Sequence, residues 1–270
     1  MTALVLSHLG PAGDHDDRPL VAVPALAEVV AAHLGRTCSF SGGPFTVADR
    51  TAAEHLAVAR PGLEDHARAV QAELASGHRP VSVNGRCAAS LASLPVVLRS
   101  RPDAVVVWAD AHADVNVPGA SETDYLGGMA VSGPLGWWDT GFGAGLTAGR
   151  TVLVGTRSID DAEQVALDAA GIVVAAPGPD LVDVVLEAVA GRPVYVHLDC
   201  DVLEPGIALT DYREPGGLDL ADLSALAGRL AELEVVGLEI AEWEGPGTAS
   251  AADLVTALAP LLEECRTPLR

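Results

Sequence analysis

A three-layer αβα domain with an eight-stranded, mostly parallel sheet is the fold class predicted for this chain, and three observations predict it. Eight short apolar runs alternate with helix-length amphipathic segments almost from end to end, the rhythm of successive βα units. Runs such as Ala104-Val105-Val106-Val107-Trp108 and Val194-Tyr195-Val196-His197-Leu198 are close to continuously apolar, as expected of strands buried on both faces of a parallel sheet. No internal repeat or low-complexity linker divides the chain, so residues 1–270 are read as one domain, and a hydrophobic content of 49% is ample for its core.

The elements follow in order. A strand at 3–7 leads to an apolar-periodic helix at 20–34, and a strand at 38–41 leads through a loop to a long helix at 52–76. The run at 81–84 precedes a helix at 88–100; the run at 104–110 precedes a loop, a helix at 129–138 and a glycine-rich loop at 138–150. Next come a strand at 151–156 and a helix at 161–170, which Asp160 is placed to cap. A strand at 172–176 and a helix at 180–190 follow, then a strand at 194–199 and a helix at 220–232 capped by Asp219. A strand at 235–241 and a helix at 251–265 close the chain.

Composition narrows the function. Sixteen basic against 37 acidic residues give a formal charge of −21, which repels nucleic acid and anionic membranes and favours a cationic partner such as a metal or a small cation. Every basic residue is arginine, so chemistry that needs a lysine Schiff base or lysine general base is excluded. The four cysteines, Cys38, Cys87, Cys200 and Cys265, form no CxxC pair, which argues against a zinc ribbon or a disulfide scaffold and for reduced cytoplasmic thiols. No basic segment with an apolar stretch opens the chain, and no run of about 18 apolar residues occurs, so neither secretion nor membrane insertion is expected.

Chemistry concentrates in two segments. Asp110-Ala111-His112-Ala113-Asp114 and Asp199-Cys200-Asp201 each place metal-type ligands one residue apart directly after an apolar run. If the strands continue through them, alternate side chains converge on one side, at the carboxyl ends where open α/β sheets bind their substrates. Carboxylates with imidazole suit Mn²⁺, Fe²⁺, Zn²⁺ or Co²⁺, and two bridging aspartates can hold two ions that share and activate one water, which implies hydrolysis. Helix capping is the competing reading for Asp110 or Asp199 taken singly, but it does not account for the Asp-x-His-x-Asp alternation.

Residues 108–116, Trp-Ala-Asp-Ala-His-Ala-Asp-Val-Asn, and residues 197–205, His-Leu-Asp-Cys-Asp-Val-Leu-Glu-Pro, resemble the two signature motifs of the ureohydrolases, the family of arginase and agmatinase. Gly237-Leu238-Glu239-Ile240-Ala241-Glu242 resembles that family's late strand, whose final acid, here Glu242, contacts the guanidinium nitrogens. The resemblance runs from about Val81 to the C-terminus. It implies an arginase-like αβα fold, a metal-dependent amidinohydrolase, a cationic guanidino substrate and a homo-oligomer, trimer or hexamer. It also implies Asp110 and Asp199 bridging two manganese ions, His112 and Asp201 completing one ion and Asp114 the other, with Asp114 and Glu242 as catalytic carboxylates. For the substrate's α-carboxylate and α-amino groups it points to Asn116, Ser121, Thr123, Asp160 and Glu163, where capping competes for Asp160 and loop solvation for Ser121 and Thr123.

Two departures from the family pattern shape the expected substrate. The family's Gly-Gly-Asp-His-Ser ligand turn is here Asn84-Gly85-Arg86-Cys87-Ala88, so a cysteine stands where a metal-binding histidine is expected. A thiolate is softer and suits Zn²⁺ or Fe²⁺ better than Mn²⁺, so the site fed by Asp114 is expected to be weakened or altered in metal preference, leaving one or two bound ions; a buried spectator thiol is the alternative. Gly127 takes the place of a histidine held to shuttle protons to the leaving amine, and Tyr125 replaces a small polar residue. Loss of that general acid slows expulsion of a basic amine and favours a less basic guanidine. Arginase-like members of antibiotic pathways resemble this chain in carrying that cysteine. The expected reaction is therefore N-omega-hydroxy-L-arginine to hydroxyurea and L-ornithine. Ordinary arginase, agmatinase or another guanidino-acid hydrolase is the rival activity, and a noncatalytic homologue binding guanidino compounds is the rival from another class.

Overall fold

The computed structural model describes residues 2–120 and 124–269. Its strands are β1 (Leu4–Leu9), β2 (Thr37–Gly42), β3 (Val81–Val83), β4 (Val105–Ala109), β5 (Thr151–Val154), β6 (Val173–Ala175), β7 (Val194–Asp199), β8 (Ala208–Leu209), β9 (Val235–Ala241) and β10 (Gly245–Pro246). Eight of them form one sheet in the order β2-β1-β3-β9-β7-β4-β5-β6, and every pairing in it is parallel. All eight expected strands are present. The short pair β8 and β10, antiparallel, was not anticipated.

The helices are α1 (Pro19–Leu34), α2 (Ala52–Ala75), α3 (Ser90–Ser100), α4 (Asp161–Ala170), α5 (Leu181–Val189), α6 (Leu220–Leu230) and α7 (Ala251–Cys265). Alternation along β4 shows why the apolar run is unbroken. Val105, Val107 and Ala109 enter one core with Val23 and Leu26 of α1, Val185 of α5, Leu226 of α6 and Leu258 of α7. Val106 and Trp108 enter the opposite core with Val70 of α2, Leu94 of α3 and Leu167 of α4. Both faces are covered, which gives the three layers.

Local chemistry fixes the helix ends. Asp219 accepts hydrogen bonds from the Ala221 and Asp222 backbone at 2.7 and 2.8 Å, and Gly35 closes α1 in the left-handed conformation at φ 67°. The helix expected at 129–138 is absent. A 3₁₀ turn, Gly127–Met129, gives way to a string of turns. Pro134 donates no backbone hydrogen bond, its carbonyl serves Gly145 and Leu146 instead of a next helical turn, and Gly136 sits at φ 76°. Apolar spacing alone did not outweigh Gly133-Pro134 and Gly136.

After β3 the chain skips two positions to reach β4, and β7 and β9 later fill them. The carboxyl ends of four adjacent strands, β3, β9, β7 and β4, therefore open onto one crevice, the place such sheets offer to ligands.

Candidate metal centre and substrate pocket

That crevice is a cavity of about 210 Å³, lined by Cys87, His112, Asp114, Asp199, Asp201 and Glu242, with Asn116, Tyr125, Gly127, Asp160, Glu163 and Tyr212 among its other walls. It has room for one metabolite-sized molecule and not for a polymer segment. The candidate ligands come from strand ends: Cys87 from the turn after β3, Asp110 to Asp114 from beyond β4, Asp199 and Asp201 from the end of β7, and Glu242 from directly after β9.

The ligands converge, but not by strand alternation. β4 stops at Ala109, and the segment beyond it is held by other bonds. Thr156 Oγ1 donates to the Asp110 carbonyl at 3.0 Å, and the Arg157 and Ser158 backbone amides donate to the Ala111 carbonyl at 2.9 Å. Asp114 then takes the left-handed conformation at φ 52°, uncommon for a residue other than glycine, and its carbonyl accepts from Val131 and Ser132. Such a backbone costs free energy and recurs at functional sites. Asp201 lies on a 3₁₀ turn, Cys200–Val202, and its backbone N–H donates to Asp199 Oδ1 at 2.7 Å. Asp199 thus caps a turn and faces the cavity at once. Asp160 likewise precedes α4, its backbone N–H bonded to Glu163, while its carboxylate accepts from Asn116 Nδ2 at 3.0 Å. Glu163 also accepts from the Val115 backbone. Ser121 and Thr123 lie outside the described residues.

Ligand atoms group as a metal would need. Those of Asp110, His112 and Asp201 lie within 4.8 Å of one another, as do those of Cys87, Asp199 and Glu242; Asp114 lines the same cavity without joining either group. His112 Nδ1 is 3.0 Å from Asp201 and 3.4 Å from Asp110. Burial alone would lower this imidazole's pKa, but hydrogen bonds to Asp110 and Asp201 drive it up to about 12. Burial, with repulsion from Asp110, raises Asp114, and burial with repulsion from Asp201 and Asp110 raises Asp199. The same two causes bring Asp201 to about 6. Carboxylates this close repel by up to about 4 kcal/mol per pair at an effective dielectric of 20, so the donor set fits divalent cations.

Cys87 is inside this set. Its Sγ is 3.0 Å from Asp199 Oδ2 and 3.2 Å from His197 Nε2. Burial, then Asp199, holds the thiol well above the ordinary cysteine pKa. His197, which sequence spacing left without a role, is fully buried and stacks flat on Trp108 with ring centroids 3.5 Å apart. Ser90 and Glu239 support its other side. Arg86 was also unremarked by sequence reading: it is wholly buried against Glu242, Glu244 and Asp14. No local signal marks that contact, because Asp14 lies 72 positions and Glu242 156 positions away.

Chelation should expose the strain of this cluster. Asp201 is raised, so its contribution to stability is complete below the ordinary carboxylate pKa and is lost as pH rises through about 6. His112 stays protonated when folded while the unfolded imidazole loses its proton near its ordinary 6.5, and this acts in the same direction. Asp110 is lowered, so its contribution is already complete above the carboxylate range. Chelator-treated protein is expected to melt lower at about pH 7.5 than at about pH 5, and added divalent metal should reverse the order. Melting curves that rise towards pH 7.5 without metal would contradict it.

Comparison with known proteins agrees with this architecture. The family model described as Arginase family matches residues 28–264. The N(omega)-hydroxy-L-arginine amidinohydrolase of Streptomyces lavendulae is 40% identical over 219 residues, 81% of this chain and 80% of that protein. An arginase of Eremothecium gossypii is 29% identical over 64% of this chain and 48% of its own length. In fold, the arginase of Bacillus caldovelox superposes with a TM-score of 0.83 at 20% identity, covering 97% of this chain and 98% of the other. The match over most of the chain, set on the carboxylate and imidazole cluster at its strand ends, shows that this protein belongs to the arginase family.

Proposed function

We propose that this protein hydrolyses the guanidine C–N bond of an arginine-like substrate, N-omega-hydroxy-L-arginine in particular, giving hydroxyurea and L-ornithine. The observation that carries the reading is the Cys87 thiol set among the carboxylates, 3.0 Å from Asp199. Overall likeness to the Streptomyces lavendulae hydrolase supports the substrate. Asp110, His112 and Asp201 would hold one ion, and Asp114, Asp199 and Cys87 a second, with Mn²⁺ the favoured metal. When bound, such ions supply an activated water at neutral pH.

The chain's own groups do the rest. Glu242, held by the Cys87 backbone N–H at 2.8 Å, presents a carboxylate to the substrate's guanidine nitrogens. Asp114 lines the same cavity and is the second carboxylate proposed to take part in proton transfer there. Asn116, Asp160 and Glu163 line the same cavity, where an amide and acids suit an amino acid's carboxylate and ammonium groups; Ser121 and Thr123 belong to this proposal on resemblance alone. A cavity within a chain of net charge −21 favours a cationic guanidino compound. Among the described residues no helix is long and apolar enough to cross a membrane.

Metal analysis of the purified protein, with product detection from N-hydroxyarginine, arginine and agmatine, tests the reading. Hydroxyurea from the first is the expected result; protein without transition metal or turnover on any guanidine would sink it. Cys87 has its own test. A thiol must lose its proton to bind metal, so Cys87→Ser should weaken metal binding at least about tenfold. It should also release about one proton fewer per protein on metal binding, read by titration calorimetry in buffers of different ionisation enthalpy. Unchanged proton release would make Cys87 a spectator.

A further inference from the structure

Glu242 meets a guanidinium before any substrate arrives. Arg86, buried at the turn after β3, donates from Nη1 to Glu242 Oε2 and to Glu244 Oε1, both at 2.7 Å, and from Nε to Asp14 at 2.8 Å. Its side chain is 0% exposed, as is that of Glu244. The Cys87 backbone N–H takes the other oxygen of Glu242. A carboxylate has about four acceptor positions, so roughly half of this one's capacity is engaged by the protein itself. Glu242 also stands at φ 59°, a left-handed conformation that a glutamate rarely adopts. A buried arginine gripping its carboxylate is a physical reason for that conformation to persist.

The charges around it point to a second consequence. Asp14, Glu242 and Glu244 face Arg86, and Arg18 reaches Glu244 from the outer side at 2.6 Å. Arg18 is gripped by Asp16 as well, so four acids and two arginines leave two net negative charges, where the acids with Arg18 alone would leave three. Arg86 therefore lowers the pull that this part of the cavity exerts on a fully charged guanidinium. A guanidine carrying an electronegative oxygen is less basic and needs less of that pull.

Resting on the reading of Glu242 as the substrate's guanidine anchor, we propose that Arg86 is a positioning and specificity residue: it aims the Glu242 carboxylate and partly neutralises it, biasing the site against arginine and towards a less basic hydroxyguanidine.

Arginine can be measured as a competitive inhibitor of N-hydroxyarginine hydrolysis even where it is not turned over. Arg86→Gln should lower the Ki of arginine at least tenfold relative to the KM for N-hydroxyarginine, while kcat falls because Glu242 loses its aim. Arg86→Lys, which keeps the charge and loses the planar fork, should restore the ratio but not kcat. If Arg86→Gln does not fold, Glu244→Gln serves. With one competitor fewer, Arg86 holds Glu242 more completely, and the Ki of arginine should rise several-fold relative to KM. A Ki to KM ratio that stays fixed in Arg86→Gln, or in Glu244→Gln where that variant stands in, overturns the role assigned to Arg86 and leaves the hydrolase reading intact. Wild-type protein that neither hydrolyses N-hydroxyarginine nor binds arginine overturns both.

Discussion

Asp199→Asn is expected to abolish turnover and one or both metal sites while raising the melting temperature of the chelated protein. Asp199 is 4% exposed and faces Asp201, Asp110 and Glu242, and burial together with those charges opposes its ionisation. An asparagine keeps an oxygen that can accept the Asp201 backbone N–H, 2.7 Å away in the wild type, and removes the charge. Each kcal/mol of repulsion relieved should appear as about 2–4 °C in a chain of this size. The opposite effect falls on function. A neutral amide is a poor ligand for a hard cation, and loss of the charged ligand proposed here should cost at least about a thousandfold in kcat, about 4 kcal/mol of barrier. Stability and activity moving in opposite directions identify a site whose strain serves function. Metal content by mass spectrometry and melting in chelator check both arms; wild-type metal content in the variant would remove Asp199 from the ligand set.

How much of this could be read from the chain depends on the distance over which the signal acts. The sheet was legible because β4, β7 and β9 are buried on both faces, so their runs stay apolar with no alternation to misread. The two candidate ligand segments could be picked out because each directly follows such a run. What was mistaken was how they converge: β4 ends one residue before Asp110, and tertiary hydrogen bonds with a left-handed Asp114 take the place of the strand's pleat. Arg86 was invisible, since its three acids come from the far ends of the chain and charge pairing across 72 or 156 positions leaves no periodic trace. His197 was overlooked for a related reason: spacing along the chain does not show that it stacks on Trp108 of the neighbouring strand.

Gly127 and Tyr125 stood apart as two separate substitutions, and space joins them into one. A Cβ added at Gly127 would lie 2.7 Å from Tyr125 Cζ and 2.9 Å from its phenol oxygen, closer than real Cβ contacts allow. The ring occupies the room that a side chain at 127 would need. It cannot easily swing aside, because His15 packs on it at a centroid distance of 4.9 Å and Tyr212 at 5.9 Å. On a further side, a Cβ at Gly13 would come within 3.0 Å of it. Gly127→His should therefore not create a proton shuttle. It should destabilise the fold by about 1–3 kcal/mol through overpacking and lower kcat/KM for N-hydroxyarginine at least about tenfold as the ring is driven into the cavity. In Tyr125→Ser the space opens, and adding Gly127→His there should be nearly neutral for stability. That double variant is the one expected to gain hydrolysis of arginine, since a general acid then faces the basic leaving nitrogen. The four proteins form a double-mutant cycle whose coupling should favour the pair by at least about 1.4 kcal/mol. Additive effects, or arginine hydrolysis appearing in Gly127→His alone, would mean that the ring yields and that Tyr125 does not enforce the glycine.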